Sequence, residues 1–341
     1  MKKVSVIIPC FNATKYLPKC FMSLVQQTIG FDQIELIFVD DASTDCGATW
    51  NMLQEFERAY PENIIIIRLE ENMRQGGARN VALQYVTGEY IAFVDADDFV
   101  ANEFLAETYK IAVDTDADIV QFDHFYYKET IGPVYSGRNK DLEIMELDSE
   151  VKRKKLLLSE KITCGCWNKL YKSSMVKAAD VKFAEHVIYE EPLFVYPLLF
   201  FANRITIFPK AFYYYRQNDN GTMRNDMKQK STIKMHAEVQ LSVWNFMKQT
   251  PFFYPFYEEI KLYFLHTYLY ETLCFYNFRN YHISFTDYKE MESVVKKEIP
   301  NYDESPYADI ISQQMILYKE IKHGVTQQWL TAYLENQNKL Y

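Results

Sequence analysis

The sequence has no uninterrupted apolar run of about 18 residues, the length that a transmembrane helix needs, so it predicts no membrane-spanning helix. It also has no long basic run, and its formal net charge of −9 argues against a nucleic-acid partner. The six cysteines are scattered along the 341 residues without a disulfide framework. We therefore expect reduced thiols and a cytoplasmic protein, with the inner face of the membrane as an alternative location.

Glycine is scarce as well, with 10 residues in the whole chain. Residues 76–80 read Gly-Gly-Ala-Arg-Asn rather than G-x-G-x-x-G, nothing glycine-rich follows the first predicted strand, and there is no P-loop lysine motif. The two best-known nucleotide-binding loops are therefore disfavoured. The six histidines show no metal-ligand spacing, and we assign none of them a role.

What the sequence does contain is an alternation of apolar runs and helical patterns over its first 122 residues. Near-continuous apolar strands separated by helices are typical of a mostly parallel sheet covered on both faces, so we predict an α/β fold. Residues 128–147 are predicted to form a loop or hairpin. The predicted strands are residues 4–8, 35–39, 64–69, 90–94 and 118–122, and the predicted helices lie in residues 16–25, 50–57, 78–86, 102–113 and 148–161.

Strand-like runs end near residue 225, and long helical patterns follow. We place a domain boundary there, with an α/β domain in residues 1–225 and a helical, aromatic-rich region in residues 226–341. Between residues 252 and 281 this region has 13 aromatic residues, which favour a helical core. A homodimer interface and a peripheral membrane contact are the alternatives, and dimerisation ranks higher because the region is close to charge-neutral.

Asp95, Asp97 and Asp98 stand together at the end of the fourth predicted strand. Neighbouring carboxylates repel one another unless a cation lies among them. Magnesium-type sites use one or two carboxylates together with substrate phosphates, so the cluster favours a metal-bound nucleotide. The alternative is a solvated acidic turn that caps the next helix.

Three other polar groups follow the first three predicted strands at matching places, in residues 9–12, 40–45 and 72–80. Ligands of open α/β sheets bind beyond the carboxyl ends of the parallel strands. All four groups are therefore predicted to meet along one edge of the sheet, and this convergence is stronger evidence for a binding site than any single motif.

Each group has a candidate role at that edge. Phe11 would lie against a flat base, and Asp41 would accept a hydrogen bond from a ring N–H such as that of uracil. The glycines of residues 76–77 would let the backbone approach a ligand, with Arg79 projecting from a first helical turn. The alternatives are structural: a helix N-cap within residues 43–45 and an ion pair for Arg79.

These residues resemble the family 2 glycosyltransferases of GT-A fold. The resemblance is close over about the first 125 residues, through the motifs VSVIIPCFN at 4–12, VDDASTD at 39–45, GARN at 77–80 and GEYIAFVDADD at 88–98. Weaker matches follow at residues 167–170, 189–194 and 213–216, and nothing specific follows residue 225.

The resemblance implies a nucleotide-sugar donor, usually uridine diphosphate-linked, and a divalent Mn²⁺ or Mg²⁺ ion. It makes Asp95 and Asp97 the family's D-x-D pair, with Asp95 near the ribose and the metal and Asp97 on the metal. The other implied contacts are Pro9, Phe11, Asn12, Asp41 and Arg79 to the nucleotide, Asp98 and Trp167 to the sugar or acceptor, and Asp219 to the metal. Plain core packing is the alternative for Trp167.

For the catalytic base, the resemblance points to an acidic pair at a helix start, here Glu190 and Glu191. An inverting transfer needs one carboxylate to take the proton of the attacking hydroxyl. We assign Glu191 to this role, although the family usually has Asp there, and keep Glu190 as the fallback. The alternative is that both acids simply favour the helix N-terminus before Pro192.

The resulting expectation is a metal-dependent, inverting glycosyltransferase. It would move a sugar from a UDP-sugar to a glycan, lipid-linked or glycoprotein acceptor in surface glycan biosynthesis. A nucleotidyltransferase is disfavoured because residues 9–12 supply neither glycine nor charge for a triphosphate. A non-catalytic nucleotide-sugar-binding module is the other alternative, and the intact acids at 95, 97, 190 and 191 argue against it.

Overall fold

A computed structural model describes residues 2–137, 140–218, 230–274 and 283–337. The chain divides into two compact units, residues 1–219 and residues 220–341. The predicted boundary at residue 225 lies outside the described residues. No helix in these described ranges is long and apolar enough to cross a membrane.

The first unit is built on a sheet of ten strands in the order β3-β2-β1-β4-β9-β6-β10-β5, with β7 beside β6 and β8 beside β10. The strands are β1 Val4–Cys10, β2 Ile34–Asp40, β3 Ile64–Arg68, β4 Tyr90–Phe93, β5 Phe99–Val100, β6 Ile119–Lys128, β7 Gly132–Tyr135, β8 Glu143–Glu146, β9 Lys169–Lys172 and β10 Arg204–Arg216.

Strands β3, β2, β1 and β4 are mutually parallel, so their carboxyl ends lie along one side of the sheet, called here the carboxyl edge. The chain leaves these strands at residues 11, 41, 69 and 94. The four polar groups predicted to converge therefore do follow strands that end at the same edge.

Beyond β4 the sheet becomes mixed. The short β9 lies antiparallel between β4 and β6, and β6 runs parallel to β10. The predicted strand at 118–122 is the beginning of β6, which extends to Lys128 and forms a hairpin with β7. Part of the stretch expected to be a loop or hairpin is therefore this hairpin.

Helices cover both faces of the sheet, which explains why all seven residues of β1 and of β2 are buried. On one face, Leu24 and Phe104 join the core beneath β1 and β2. On the other, Phe93 packs edge-on against Phe194, with ring centroids 5.5 Å apart. The helices are α1 Leu17–Val25, α2 Ala48–Ala59, α3 Arg74–Leu83, α4 Phe104–Asp114, α5 Glu150–Leu157, α6 Ser173–Ala179 and α7 Pro192–Phe201.

The second unit is helical in its described parts. The described portion of the aromatic-rich span packs internally: Trp244 is 2% exposed and lies 5.0 Å from the ring of Phe264, which stacks on Tyr268. Tyr254 is the opposite case, at 86% exposure. The described helices of the second unit are α8 Lys230–Met247, α9 Tyr257–Phe264, a π-helical continuation Leu265–Glu271, α10 Phe285–Glu298, α11 Ser312–His323 and α12 Gln327–Gln337.

Candidate active site

The loop after β1 presents one aromatic ring at the carboxyl edge. Phe11 is 47% exposed, whereas Pro9 is buried within β1. Asn12, at a left-handed φ of 49°, donates its main-chain N–H to Ser43 Oγ at 2.9 Å and accepts from the Thr44 main-chain N–H at 2.8 Å. Asn12 therefore joins the loops after β1 and β2, and this junction leaves the ring of Phe11 open.

Asp41 is almost fully buried at the end of β2. Its Oδ1 accepts a hydrogen bond of 2.7 Å from the main-chain N–H of Met73, so it also ties the loop after β3 to the edge. Burial raises the pKa of Asp41, and hydrogen bonds from the main-chain N–H groups of Met73 and Arg74 oppose that shift. A carboxylate has about four acceptor positions, so these bonds leave capacity for a further donor.

Asp45 has a structural role, although the N-cap residue of α2 is Gly47 and not Asp45 as the alternative had it. Its Oδ2 accepts from the Thr49 main-chain N–H at 3.0 Å and from the Thr49 hydroxyl at 2.6 Å, in the first turn of α2. The side chain is committed to the start of the helix.

Asp98 does not make the contact to a sugar or an acceptor that the resemblance implied. It is 2% exposed, accepts a hydrogen bond of 2.7 Å from the Tyr213 hydroxyl, and accepts one of 2.6 Å from the Arg216 main-chain N–H. Burial, followed by repulsion from Asp97 and Asp95, raises its pKa. With both oxygens bonded inside the fold, Asp98 anchors β10 and does not face a sugar or an acceptor.

Asp95 and Asp97, unlike Asp98, are partly exposed at the carboxyl edge. Asp97 is half-buried, and the side-chain amide of Asn218 donates to its Oδ2 at 3.3 Å. Burial, followed by repulsion from Asp95, raises the pKa of Asp97 to about 6. The Asp95 main-chain N–H donates to the Tyr213 hydroxyl at 3.1 Å, which holds the turn between the two acids against β10.

These two carboxylates fit a divalent ion that substrate phosphates would help to bind. Within the described residues there is no group of three or more side chains able to hold a metal by themselves. Two hard oxygen donors, one carrying a raised pKa that a nearby cation would lower again, are the donor set of a Mg²⁺ or Mn²⁺ site completed by a diphosphate. The third implied ligand, Asp219, lies outside the described residues.

Arg79 occupies a different place from the one implied. Its side chain is 2% exposed, its Nη2 lies 2.7 Å from Asp95 Oδ1, and its Nη1 forms a close ion pair with Glu190. A guanidinium so enclosed is not open to a nucleotide. The structural ion pair considered above is correct, and Arg79 links the D-x-D pair to the acids at the start of α7.

The glycines at 76–77 lie where α3 packs against the segment that precedes α7. Both lie in the first turn of α3, which begins at Arg74 rather than at residue 78. A Cβ on Gly76 would lie 2.0 Å from the Ala184 carbonyl oxygen and 3.0 Å from Glu190 Cβ. The expected close approach of a ligand is wrong, because the protein's own segment 184–190 fills that space.

Asn80, one turn further along α3, completes this contact. Its side-chain amide donates to the Phe183 carbonyl at 3.0 Å and accepts from the Phe183 main-chain N–H at 2.9 Å, as a neighbouring strand would. The motif GARN was visible in the sequence, but its partner more than 100 residues away was not.

Glu191 is the acid that combines access with a shifted pKa. It is the N-cap residue of α7, it is half-buried, and its Oε1 accepts from the Cys166 main-chain N–H at 2.9 Å. Burial, followed by repulsion from Glu190, raises its pKa to about 7. Glu190 is more deeply buried and is bound to Arg79. A carboxylate with a pKa near neutrality is suited to act as a general base.

The loop that reaches Glu191 also carries Trp167. The indole is half-buried and lies 4.8 Å from the ring of Tyr213 and 5.3 Å from that of Tyr215. The buried Lys169 braces the loop: its Nζ donates to the Thr163 hydroxyl at 3.0 Å. Trp167 thus stands beside the candidate base and is neither fully buried nor free.

The family model for glycosyl transferase family 2 matches residues 5–178, just over half of the chain. The chain belongs to this family. The resemblance seen in the four motifs is thereby confirmed.

Two curated relatives are named as glycosyltransferases that act on poly(ribitol-phosphate). The chain is 30% identical over 222 residues to poly(ribitol-phosphate) beta-glucosyltransferase of Bacillus spizizenii, covering 64% of this chain and 33% of that protein. It is 29% identical over 224 residues to the poly(ribitol-phosphate) beta-N-acetylglucosaminyltransferase TarS of Staphylococcus aureus, covering 65% of this chain and 36% of TarS. The similarity thus spans about a third of each relative's length.

Solved structures confirm the fold. The S. aureus TarS 1-349 structure in complex with UDP-GlcNAc superposes with a TM-score of 0.72 over 97% of this chain and 89% of that chain, at 22% identity. The Pyrobaculum calidifontis mannosyltransferase PcManGT, in complex with GDP-Man and Mn²⁺, gives 0.54 at 16% identity over 98% and 86% of the two chains. The GT-A-like mixed sheet followed by C-terminal helices is therefore as predicted.

Proposed function

We propose that this protein is an inverting glycosyltransferase that moves a sugar from a UDP-sugar to a hydroxyl of a surface-glycan acceptor, which is a glycan, lipid-linked or glycoprotein chain. One observation carries the proposal. Glu191, half-buried and with a pKa raised to about 7, stands at the start of α7, and Glu190 and Arg79 connect that helix start to Asp95 at the carboxyl edge. A candidate base and a candidate donor site are thus parts of one polar network.

The chemistry assigned to these residues is a displacement at the anomeric carbon. Glu191 takes the proton of the acceptor hydroxyl while that oxygen forms its bond to the anomeric carbon. The bond from the same carbon to the diphosphate oxygen breaks, and UDP leaves with the electron pair. Attack from the side opposite the leaving group inverts the configuration. A general base of this kind contributes about 10²–10⁴-fold to the rate.

Asp97 and Asp95 would hold a divalent ion, which when bound supplies positive charge to the departing diphosphate. Phe11 would stack on the uracil, and Asp41 would accept its ring N–H. Arg79 is assigned to positioning. It holds Glu190 and Asp95 in place through ion pairs, and Glu191 is left as the acid that accepts the proton.

The first test is the melting temperature with UDP, with Mn²⁺, with both and with neither, repeated with GDP, ADP and TDP. A ligand at about 100 times its dissociation constant adds roughly 2.7 kcal/mol, which is a shift of several degrees. The expected result is a shift that needs UDP and Mn²⁺ together. UDP release from a panel of UDP-sugars then identifies the sugar.

Other outcomes change the conclusion in defined ways. A shift with GDP and none with UDP would replace the donor but keep the reaction class. A shift with UDP and metal, without UDP release from any UDP-sugar, would favour the non-catalytic binding module. No shift with any nucleotide in folded protein would overturn the donor site.

A further inference from the structure

Strands β6, β7 and β10 place a row of side chains on one face of the sheet next to the candidate active site. Tyr215 of β10 is paired in register with Tyr126 of β6, and Tyr126 is paired with Val134 of β7. Residues paired across strands point to the same face. Tyr215, Tyr126 and Val134 therefore form a continuous row that runs outwards from β10.

The inner end of this row is closed by rings that contact the site. The indole of Trp167 is inclined at 27° to the ring of Tyr215, with centroids 5.3 Å apart. His124 lies edge-on to both Trp167, at 4.7 Å, and Tyr126, at 5.0 Å. Trp167 follows Cys166, whose main-chain N–H donates to Glu191. The row thus begins one residue along the chain from the main-chain contact to the candidate base.

The row is open to solvent along its length. Tyr126 is 41% exposed and Val134 is 52% exposed. Among the described residues the Tyr215 hydroxyl has no hydrogen-bond partner, and it is not sealed from solvent. Burial, followed by the charges of Asp98, Asp95, Asp97 and Glu191, raises the pKa of Tyr215.

One cation lies at the outer end. Lys128 is two residues beyond Tyr126 in β6 and therefore on the same face, about 7 Å further along the strand. It is half-buried, and it forms no ion pair with any residue in the described ranges. An aromatic row with hydroxyl groups at its inner end and an ammonium group at its outer end is suited to a hydroxylated carbon chain that carries a phosphate.

We propose that Trp167, Tyr215 and Tyr126, called here the aromatic platform, bind a polyol-phosphate or sugar-phosphate unit of the acceptor, with Lys128 at its phosphate. The ring faces would contact the carbon skeleton, and the Tyr215 hydroxyl would hydrogen-bond a hydroxyl near Glu191. This inference rests on the proposed function, because it gives that reaction its acceptor class.

Sheet order separates this platform from the proposed donor site. The nucleotide is assigned to residues that follow β1 and β2, on one side of β4, whereas the platform is built on β6 and β10, on the other side. Asp95 and Asp97, which follow β4, lie between the two. A donor and an acceptor bound in this way would lie on either side of these acids in the order of the strands.

Saturation-transfer NMR on the full chain, with ribitol 5-phosphate as the probe and UDP and Mg²⁺ present, tests the platform. Wild type is expected to bind the probe. Tyr126→Ser is expected to weaken binding about fivefold, the loss that follows removal of one ring contact. Lys128→Ala is expected to weaken it about threefold, with the difference disappearing at high salt.

Tyr85→Ser is the matched control, because Tyr85 is 47% exposed, follows α3 and is far along the chain from the platform strands. It is expected to bind the probe as wild type does. Failure of wild type to bind the probe, or equal binding by wild type and Tyr126→Ser, overturns the platform. The UDP resonances in the same samples report on the donor site separately, and they also show that each variant is folded.

Discussion

Glu190 and Glu191 are neighbours in sequence but occupy opposite electrostatic environments. Glu190 faces the Arg79 guanidinium, whereas the nearest hydrogen bond to Glu191 comes from a main-chain N–H of Cys166. The pair of acids seen in the sequence therefore divides into a structural ion pair and a titratable acid. The separation of the two roles depends on Arg79, which is 111 residues away from Glu190 along the chain.

Replacing each acid by its amide distinguishes the two roles. Glu191→Gln should lower the turnover of a UDP-sugar by at least about 10²-fold while UDP affinity is retained, because only the proton acceptor is lost. Glu190→Gln should lower the free energy of unfolding by about 3–5 kcal/mol, because it breaks a buried ion pair. Turnover, UDP titration and thermal unfolding of both variants measure these effects. Wild-type turnover in Glu191→Gln would refute the assigned base.

The pKa of Glu191 gives turnover a pH dependence with a defined sign. The base must be ionised, and its pKa is raised to about 7. We therefore expect kcat to rise with pH through a midpoint near 7 and to level off above it, when the UDP-sugar, the acceptor and the metal are saturating. A profile of kcat between pH 5.5 and 9 measures this, and a flat profile across that range would contradict it.

The raised pKa of Glu191 also predicts that replacing this acid by an amide stabilises the folded protein at high pH. A folded-state pKa above the unfolded value means that the stabilising contribution is present at low pH and is lost as pH rises towards 7. Glu191→Gln should therefore melt about 2 °C or more above wild type at pH 8 and level with it at about pH 4, below the unfolded-state pKa of the carboxyl. Melting curves at the two pH values provide the comparison, and a lower melting temperature for the variant at pH 8 would show that Glu191 stabilises the fold.

At the scale of the element, α3 illustrates what could be read from the sequence and what could not. The apolar strands and the edge where β1 to β4 end followed from period and order alone. The start of α3 did not, because two glycines disfavour a helix by about 1 kcal/mol each. Packing of Gly76 against Ala184 outweighs that preference.

For the candidate site too, the sequence predicted positions set by the order of the strands but not contacts with residues distant in the chain. Residues that follow strands were placed correctly because the parallel sheet alone determines their position. Arg79 and Asp98 were misplaced because their partners, Glu190 and Tyr213, come from elements more than 100 residues later. The short β9 was missed because a run of four residues after an irregular loop has no distinct periodicity.

Gly76→Ala tests whether α3 supports the acids. In an exposed helix this change adds about 1 kcal/mol of stability, but here the Cβ would lie 2.0 Å from the Ala184 carbonyl oxygen. We expect a loss of about 1–3 kcal/mol in the free energy of unfolding, together with reduced turnover. Gln75→Ala, in the same turn of the helix, is the control and should leave both unchanged. Increased stability of Gly76→Ala would mean that segment 184–190 does not pack there.

At the scale of the molecule, the carboxyl edge brings Asp95 close to Asp97, and a bound cation would relieve the repulsion between the two carboxylates. Asp97→Asn removes one of these charges. Without ligands, the variant should melt above wild type at pH 8, because a half-buried carboxylate with a pKa of about 6 is replaced by a neutral group of the same shape. With ligands, the joint shift that needs UDP and Mn²⁺ together should disappear.

Asp141→Asn, the same charge change at an exposed residue, is the control for net charge. It should keep both the wild-type melting temperature and the joint shift. Melting temperatures of wild type and both variants, each with UDP, Mn²⁺, both and neither, give the answer. A joint shift that survives in Asp97→Asn would move the metal, or the whole donor site, away from this edge of the sheet. Loss of the joint shift in Asp97→Asn alone would tie nucleotide, metal and Asp97 into one site.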